Sequence, residues 1–248
     1  MQNPLRRYLA SVEEAKMRVC VARCVWVMVL LCVLGTVPPS AWATLPTPNQ
    51  PILVVQSSAS ADPYQNFVPE LLTTEGLNGF QVAQLPELTA AFLTNYDAVI
   101  LPHLTLTAAQ ATLFQNYVNA GGTLVGFRPD LQLANVFGVA SLGTTLAEGW
   151  LKIDTSTAYG SALDSQTMKF HGTADRYSLN GASALASLYS DPNSPTASPA
   201  AAIYSFGSGK AILFSLDLTQ SVVLMRQGNP AWAGYPRQPS NMPFPERL

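Results

Sequence analysis

Cysteine is scarce in this 248-residue sequence, and all three cysteines lie near the N-terminus, at Cys20, Cys24 and Cys32. The rest of the chain must therefore fold and function without thiols. In that part a disulfide framework, a thiolate nucleophile and a cysteine-based metal site are all excluded. A lipid-modified cysteine at an exported N-terminus is excluded as well, because no cysteine follows the apolar run that precedes Gly35.

Charged residues and histidine are also scarce, since 11% of the residues are charged and only 2 are histidine. A zinc site would need both His103 and His171 together with a carboxylate, and their spacing does not favour one. We therefore predict neither a metal nor a cofactor. Hydrophobic residues, in contrast, make up 48% of the chain. That share is enough for a sizeable core and excludes disorder of the chain as a whole.

The first 43 residues have the order of a secretory signal. Arg18 and Arg23 precede an apolar run over residues 25–34, two prolines follow, and the segment ends in Ala41-Trp42-Ala43. We predict a signal peptide over residues 1–43, with Met17 as an alternative start. An uncleaved membrane anchor is the competing interpretation, but the apolar run is shorter than the roughly 20 residues of a spanning helix.

Basic residues are in the minority beyond Ala43, where 8 basic and 13 acidic residues leave a net charge of −5. A mildly acidic domain does not attract nucleic acid or anionic lipid through its overall charge. We therefore expect a secreted, periplasmic or cell-surface protein that binds no nucleic acid. It would contact a membrane only through the N-terminal segment, if that segment is retained.

The segment over residues 95–130 predicts a strand, a helix and a second strand. Residues 96–101 are apolar apart from Asp97 and partly β-branched, which is typical of a strand buried on both faces. Thr107 and Gln110 have the spacing of a capping box at a helix start, and Gly121-Gly122 ends that helix. Thr123–Phe127 is the next strand. Two buried strands joined by one helix form a parallel crossover unit.

Elements before this unit extend the pattern to β-α-β-α-β-α-β, which predicts a three-layer, flavodoxin-like α/β fold with a mostly parallel sheet. The helix after the first strand begins at Pro63 and contains Pro69, which we expect to kink it. We assign the α/β domain to residues 52–226. A proline-rich lead-in over residues 44–51 precedes it, and an irregular proline-rich tail over residues 227–248 follows.

The segment over residues 140–200 is rich in Ser, Thr, Ala and Gly, and we expect it to form an antiparallel extension of the sheet. A short helix over residues 131–137 precedes it, and residues 191–199 are predicted to be a surface loop. The predicted strands of the second half of the domain cover residues 149–153, 168–171, 184–189, 201–205 and 210–216.

Four stretches carry a resemblance to a known family: NYDAVILP, the helix start LTAAQ, YVNAGGTLVGFRPD and FGSGKAILFSLDL. Through them the sequence resembles the class I glutamine amidotransferase-like superfamily over about residues 52–218. Its exported ThuA-like members and the trimerisation domain of some β-galactosidases are the most similar. The stretches FHGTADRYSLNGA and DLTQSVVLMRQGNPAWAG also resemble an uncharacterised family of exported bacterial proteins, which implies no activity.

The resemblance does not extend to the catalytic residues. Active members of the superfamily carry a cysteine on a tight elbow after a strand, assisted by a histidine and an acid. Here the strand Thr123–Phe127 leads into Arg128-Pro129-Asp130, and no cysteine is available. Glutamine hydrolysis by the family's covalent route is therefore excluded.

Polar side chains follow four of the predicted parallel strands. They are Ser57 and Ser58 after the first strand, His103 after the third, Arg128 and Asp130 after the fourth, and Asp217 after the last. Ligands of open parallel sheets bind beyond the carboxyl ends of the strands. We therefore predict a ligand-binding site there. The alternative is that these are ordinary polar turn residues.

The two histidines are the candidates for catalysis. His103 is either a general base or a hydrogen-bonded loop residue. His171 precedes Asp175 by four residues, so the carboxylate can orient the imidazole as a base. Alternatively, Asp175 pairs with Arg176 in a turn.

A second group of ligand-binding candidates lies near the C-terminus, at Arg226, Asn229 and Trp232. An aromatic ring beside amides and a guanidinium suits contact with a sugar, but it suits a packed surface loop equally well. Arg226 has the additional option of pairing with Asp217.

Three functions are compatible with these features. The first is an exported, non-catalytic binding or interaction module linked to carbohydrate metabolism, with a carbohydrate or another small polar ligand. The second is a hydrolase that uses a His/Asp/Arg site at the strand ends. The third is a structural oligomerisation domain, for which a broad apolar surface patch would be expected.

Overall fold

The computed structural model describes residues 51–227. The predicted signal peptide, the alternative start at Met17, nearly all of the lead-in, and Asn229 and Trp232 in the tail lie outside the described residues. No helix among the described residues is long and apolar enough to cross a membrane.

The described chain contains eleven strands and four α-helices. The strands are β1 (Ile52–Gln56), β2 (Phe80–Gln84), β3 (Ala98–Leu101), β4 (Thr123–Phe127), β5 (Val139–Ala147), β6 (Trp150–Ile153), β7 (Met168–Lys169), β8 (Thr173–Leu179), β9 (Ser183–Asp191), β10 (Ser194–Phe206) and β11 (Gly209–Phe214). The helices are α1 (Val68–Thr74), α2 (Ala90–Leu93), α3 (Ala108–Asn119) and α4 (Leu218–Gln227), with 3₁₀ turns at Pro63–Phe67, Leu85–Glu87 and Leu131–Leu133.

Nine of the strands form one mixed sheet in the order β2-β1-β3-β4-β11-β10-β9-β6-β7. The five strands from β2 to β11 are parallel to one another, and the four from β10 to β7 continue the sheet with antiparallel pairing. Ile100 on β3 pairs with Val125 on β4 in parallel register. The predicted flavodoxin-like α/β fold with an antiparallel extension is confirmed.

Alternation along the buried strands sends side chains to both faces of the sheet. Leu53 and Val55 of β1 pack on the face covered by Phe114 of α3, while Val54 between them packs on the other face. That second face is covered by α1 and α4, whose residues include Leu71 and Val222. Strands that bury both faces need helices on both sides, and this requirement produces the three layers.

The helix α3 begins and ends where the sequence predicts. Thr107 Oγ1 accepts a hydrogen bond from the Gln110 amide at 3.3 Å, and Gln110 Oε1 accepts one from the Thr107 amide at 2.9 Å. Gly121 follows the helix with φ +119, a conformation that costs glycine little. The predicted capping box is confirmed.

Two predicted helices of the first half differ from the prediction. Residues 131–137 form only a 3₁₀ turn at Leu131–Leu133 before the chain reverses at Gly138, whose φ is +63. Pro69 lies in the first turn of α1, after a separate 3₁₀ turn at Pro63–Phe67, so the expected kink is a break between two short elements. Proline is tolerated there because the first turn of a helix has no intrahelical acceptor for its missing N–H.

The second half contains two strands that the sequence did not predict, β5 and β8, which pair antiparallel as a separate two-stranded sheet. The predicted loop over residues 191–199 is wrong as well. β9 runs to Asp191 and β10 begins at Ser194, with shifts of register between Ser194 and Ala202. The prolines and serines that indicated a loop are accommodated where the ladder is irregular.

Candidate functional site

The carboxyl ends of the five parallel strands lie on one edge of the sheet, which we call the carboxyl edge. It carries Gln84 at the end of β2, Ser57 and Ser58 after β1, His103 after β3, Arg128 and Asp130 after β4, and Asp217 after β11. The parallel pairing thus places all six predicted residues of the strand ends on the same edge.

Arg128 occupies the elbow after β4. Its backbone has φ +44, one of two positive values among the described non-glycine residues. Its amide donates to the Phe214 carbonyl at 2.8 Å, which extends the pairing of β4 with β11 by one residue. The tight turn that the family resemblance implies after this strand is therefore present, but its side chain is a guanidinium, which is not a nucleophile.

The Arg128 side chain points to Asp175 on β8. Nη2 lies 3.0 Å from Asp175 Oδ1, and the two side chains are 24% and 18% exposed. Asp175 itself is held in place, because its amide donates to the Ser215 carbonyl at 2.8 Å just beyond β11. The predicted alternative pairing of Asp175 with Arg176 is wrong, since Arg128 takes this carboxylate.

His103 contacts the same elbow. Its Nδ1 lies 2.8 Å from the Arg128 carbonyl oxygen. A carbonyl can only accept a hydrogen bond, so Nδ1 carries the proton and Nε2 is the basic nitrogen of the neutral ring. His103 therefore ties the loop after β3 to the loop after β4.

Asp130 ties the same two loops a second time. Its Oδ2 accepts from the Leu106 amide at 2.9 Å, and its Oδ1 accepts from the Gln132 amide at 2.9 Å. The Gln132 side chain then donates to the Leu106 carbonyl at 2.7 Å. Both carboxylate oxygens are occupied by backbone amides, which favours a structural role for Asp130.

The loop after β1 is held by two glutamine side chains. Gln65 is buried and contacts both the amide and the carbonyl of Ser57, at 2.6 and 2.8 Å. Gln84 Oε1 accepts from the Ser58 amide at 3.0 Å. Side-chain contacts to the backbone thus fix the loops after β1, β3 and β4.

Asp217 is buried where β11 leads into α4. Its Oδ1 caps that helix by accepting from the Gln220 amide at 3.1 Å. Burial raises the pKa of Asp217 to about 6, with Asp62 adding to the rise and the Gln220 hydrogen bond and His103 opposing it. Asp217 therefore interacts with two other groups of the carboxyl edge, one of them Asp62, which is not among the predicted site residues.

His171 does not contact Asp175, and its predicted role as a base oriented by that carboxylate is wrong. Its Nδ1 lies 2.7 Å from Glu148 Oε2, and the side chain is only 2% exposed. Glu148 also accepts from the Gly172 amide at 2.8 Å, and its backbone has φ +50. The His171 amide donates to Ser221 Oγ at 3.0 Å, so this cluster fastens the turn before β6 to α4.

Arg226 lies in the last turn of α4, at the opposite end of the helix from Asp217. It pairs with Glu75 at 3.2 Å, so the predicted alternative pairing with Asp217 is wrong. The described chain therefore does not bring Arg226 to the carboxyl edge. In residues 51–227 no group of three or more His, Cys, Asp or Glu side chains has the arrangement of a metal site.

Several residues that build the site were missed by sequence reasoning. Asp62 had a usable signal, because an aspartate directly before Pro63 has the pattern of a helix cap, and its Oδ1 does accept from the Tyr64 amide at 2.9 Å. Gln84 and Glu148 gave no such signal, because Gln84 contacts Ser58, 26 residues away, and Glu148 contacts His171, 23 residues away. Gln65 contacts Ser57 within the same loop region, but a glutamine at that position has no recognisable local pattern.

Comparison with known proteins shows the fold and nothing finer. No family model matches this sequence, and no curated protein matches it. A β-galactosidase from Bacillus circulans sp. alkalophilus shares 17% identity, with a TM-score of 0.52 over 73% of this chain and 31% of the enzyme. The exo-β-1,4-mannosidase Op5Man5 from Opitutaceae bacterium strain TAV5 shares 11% identity, with a TM-score of 0.55 over 74% of this chain and 34% of the enzyme.

This chain thus spans about a third of the length of the glycosidases that it resembles in structure. A putative ThuA-like protein from Bacteroides uniformis shares 14% identity, with a TM-score of 0.49 over 73% of this chain and 91% of that protein. At the level of the fold, the similarity to part of a β-galactosidase agrees with the resemblance seen in the sequence.

Proposed function

We propose that this protein is an exported, non-catalytic module that binds a small polar ligand at the carboxyl edge and serves in carbohydrate metabolism. One observation carries the proposal. Arg128 occupies the turn after β4, with φ +44, where the resemblance to the amidotransferase-like superfamily would put a cysteine, and its guanidinium is paired with Asp175 at 3.0 Å. The turn is kept while the nucleophile is replaced by a group suited to hydrogen bonding with a ligand.

The other polar groups at this edge support binding over catalysis. His103 uses Nδ1 on the Arg128 carbonyl, so no carboxylate orients it. Both oxygens of Asp130 are taken by backbone amides. A catalytic histidine works best when a carboxylate on Nδ1 stabilises the imidazolium that forms during the reaction. A preformed edge of donors and acceptors, in contrast, is what a binding site needs.

The link to carbohydrates rests on the structural neighbours. Two of them are a β-galactosidase and an exo-β-1,4-mannosidase, and this chain covers only 31% and 34% of their lengths. We infer that the fold serves in those enzymes as one part of a larger protein that acts on sugars. The present chain carries the same architecture with a polar carboxyl edge, and a sugar is the ligand class that we propose.

Two alternatives each have one supporting observation. The hydrolase alternative is favoured by the contact of 2.7 Å between His171 and Glu148, but His171 is 2% exposed and a substrate could not reach it. The oligomerisation alternative is favoured by Leu142 and Leu179, exposed large apolar residues on the β5–β8 sheet. The hydrolase is expected at the strand ends, whereas the His171–Glu148 contact lies in the turns before β6 and β8.

The proposal is tested by thermal shift with a panel of sugars, nucleotides and divalent ions. At 100 times its Kd a ligand stabilises the native state by about 2.7 kcal/mol, which raises the Tm of a domain of this size by roughly 5–10 °C. We expect a sugar to raise the Tm of the wild-type protein and of Arg226→Met, but not of Arg128→Met. Arg226 is the matched control because it is also an ion-paired arginine. It lies in the last turn of α4, whereas the carboxyl edge is at the start of that helix.

The results also separate the alternatives. Stabilisation by nucleotides alone, or by no member of the panel, would contradict the proposal. Release of product from chromogenic glycosides would favour the hydrolase, and a concentration-dependent mass in light scattering would favour the oligomerisation domain. N-terminal sequencing of the exported chain tests the localisation, with Thr44 as the expected first residue.

A further inference from the structure

The carboxyl edge is predominantly acidic. Arg128 is the only cationic side chain directly after one of the five parallel strands in the described chain, whereas Asp130 and Asp217 also lie there and Asp62 interacts with Asp217. Asp175 reaches the same edge from β8. The charged groups around this edge are therefore four carboxyl groups and one guanidinium.

The single cation is not available as a net charge. Arg128 Nη2 contacts Asp175 Oδ1 at 3.0 Å, and both side chains are about four-fifths buried. The carboxylate offsets part of the field of the guanidinium at a neighbouring ligand, and the other carboxyl groups of the edge oppose an anion further. The N–H groups can still donate to a neutral acceptor, but they no longer compensate the charge of an anion.

Building on the proposed function, we propose that the Arg128–Asp175 pair determines ligand charge, so that the carboxyl edge binds an uncharged sugar and rejects its phosphorylated form. Asp175 is then a specificity-determining residue that acts by masking Arg128. Sugar hydroxyls donate to carboxylates and accept from a guanidinium, so a neutral sugar matches both groups of the edge. A phosphate offers only acceptors and is repelled by the carboxylates, which is discrimination by an unfavourable contact.

The test is a comparison of glucose, galactose and mannose with their 6-phosphates by isothermal titration calorimetry at pH 7.5. For whichever sugar binds, we expect the wild-type protein to bind the parent at least tenfold more tightly than the phosphate. Asp175→Asn removes the masking charge with almost no change of shape, and it should reduce this ratio at least tenfold.

The control for the charge change is Asp97→Asn, at an exposed aspartate just before β3, at the opposite end of that strand from His103. It removes one negative charge far from the carboxyl edge and should leave the ratio unchanged. Arg128→Gln, which removes the cation and keeps Asp175, should increase the preference for the neutral sugar. Since the wild-type ratio needs no variant, the inference is tested even if one variant does not fold.

The possible failures are distinguishable. If a sugar and its phosphate bind the wild-type protein equally well, or the phosphate binds better, this inference is wrong and the proposed function stands. An unchanged ratio in Asp175→Asn would show that the pair does not determine charge selectivity. If none of the sugars or phosphates binds, the proposed function is contradicted, and this inference with it.

Discussion

At the scale of single residues, Asp217 is subject to two opposing effects on its charge. It caps α4, for which a carboxylate at the helix N-terminus is favourable. It is also buried, and burial disfavours the charged form, so the pKa of Asp217 rises to about 6. Near neutral pH the protein therefore keeps a buried charge that costs stability.

The sign of the pH dependence follows from this rise. In the unfolded chain an aspartate has a pKa of about 3.9, so between that value and about 6 the folded state binds more protons than the unfolded state. The favourable contribution of neutral Asp217 is complete below about pH 4 and is lost as the pH rises through about 6.

We predict that Asp217→Asn, which can still cap the helix, stabilises the protein by roughly 2 kcal/mol at pH 8 and has almost no effect at pH 4. The measurement is urea denaturation at both pH values. Asp97→Asn, at an exposed aspartate just before β3, is the control and should have little effect at either pH. An equal effect of Asp217→Asn at both pH values would contradict the assignment.

At the scale of elements, the close contact between the C-terminal end of α3 and the start of β11 depends on Gly209, which has no side chain. A Cβ on Gly209 would collide with the carbonyl oxygens of Val118 and Gly122, both of which belong to the backbone at the end of α3. Backbone atoms cannot rotate away as side-chain atoms can. β11 can therefore lie this close to the end of α3 only because residue 209 is a glycine.

We predict that Gly209→Ala lowers the free energy of unfolding by about 1–3 kcal/mol, because overpacking forces the helix end and the strand apart. Ser208→Ala is the matched control, since Ser208 is the exposed neighbour and contributes only its amide to Asn119. Chemical denaturation of both variants provides the measurement. Equal stability of the two variants would be incompatible with the close approach.

At the scale of the whole molecule, the parallel and antiparallel halves share one sheet and two cores. The core on the α3 face includes Leu53 from β1 and Tyr177 from β8, and the core on the other face includes Val54 from β1 and Leu188 from β9. Neither half can expose its part of a core without disrupting the other half. The antiparallel segment is thus an extension of the domain and depends on it.

We therefore predict that the two halves unfold in a single cooperative transition. Hydrogen exchange under increasing urea should report the same opening free energy for the amides of β1 and β9, within about 1 kcal/mol. Exposure of β9 at a lower urea concentration than β1 would mean that the antiparallel strands form an independent unit.

Local sequence patterns are sufficient to predict the parallel half of the fold. A strand buried on both faces is a short continuous apolar run, a helix start is a local pair such as Thr107 and Gln110, and the crossover topology follows from their order. These signals lie within a few residues of one another. For the same reason the polar strand ends, including His103 and Arg128, could be assigned to one edge from the sequence alone.

Which of those side chains act together is set by the folding of distant segments onto one another. Arg128 and Asp175 are 47 residues apart, and the contact between Glu148 and His171 spans 23 residues. β5 is mostly solvent-exposed, so its sequence lacks the alternation that marks a half-buried strand, and its pairing with β8 is non-local. Hydrogen bonds and ion pairs form only at short distances between atoms. For residues far apart in the sequence, the fold of the whole chain determines those distances, so a local sequence pattern cannot predict them.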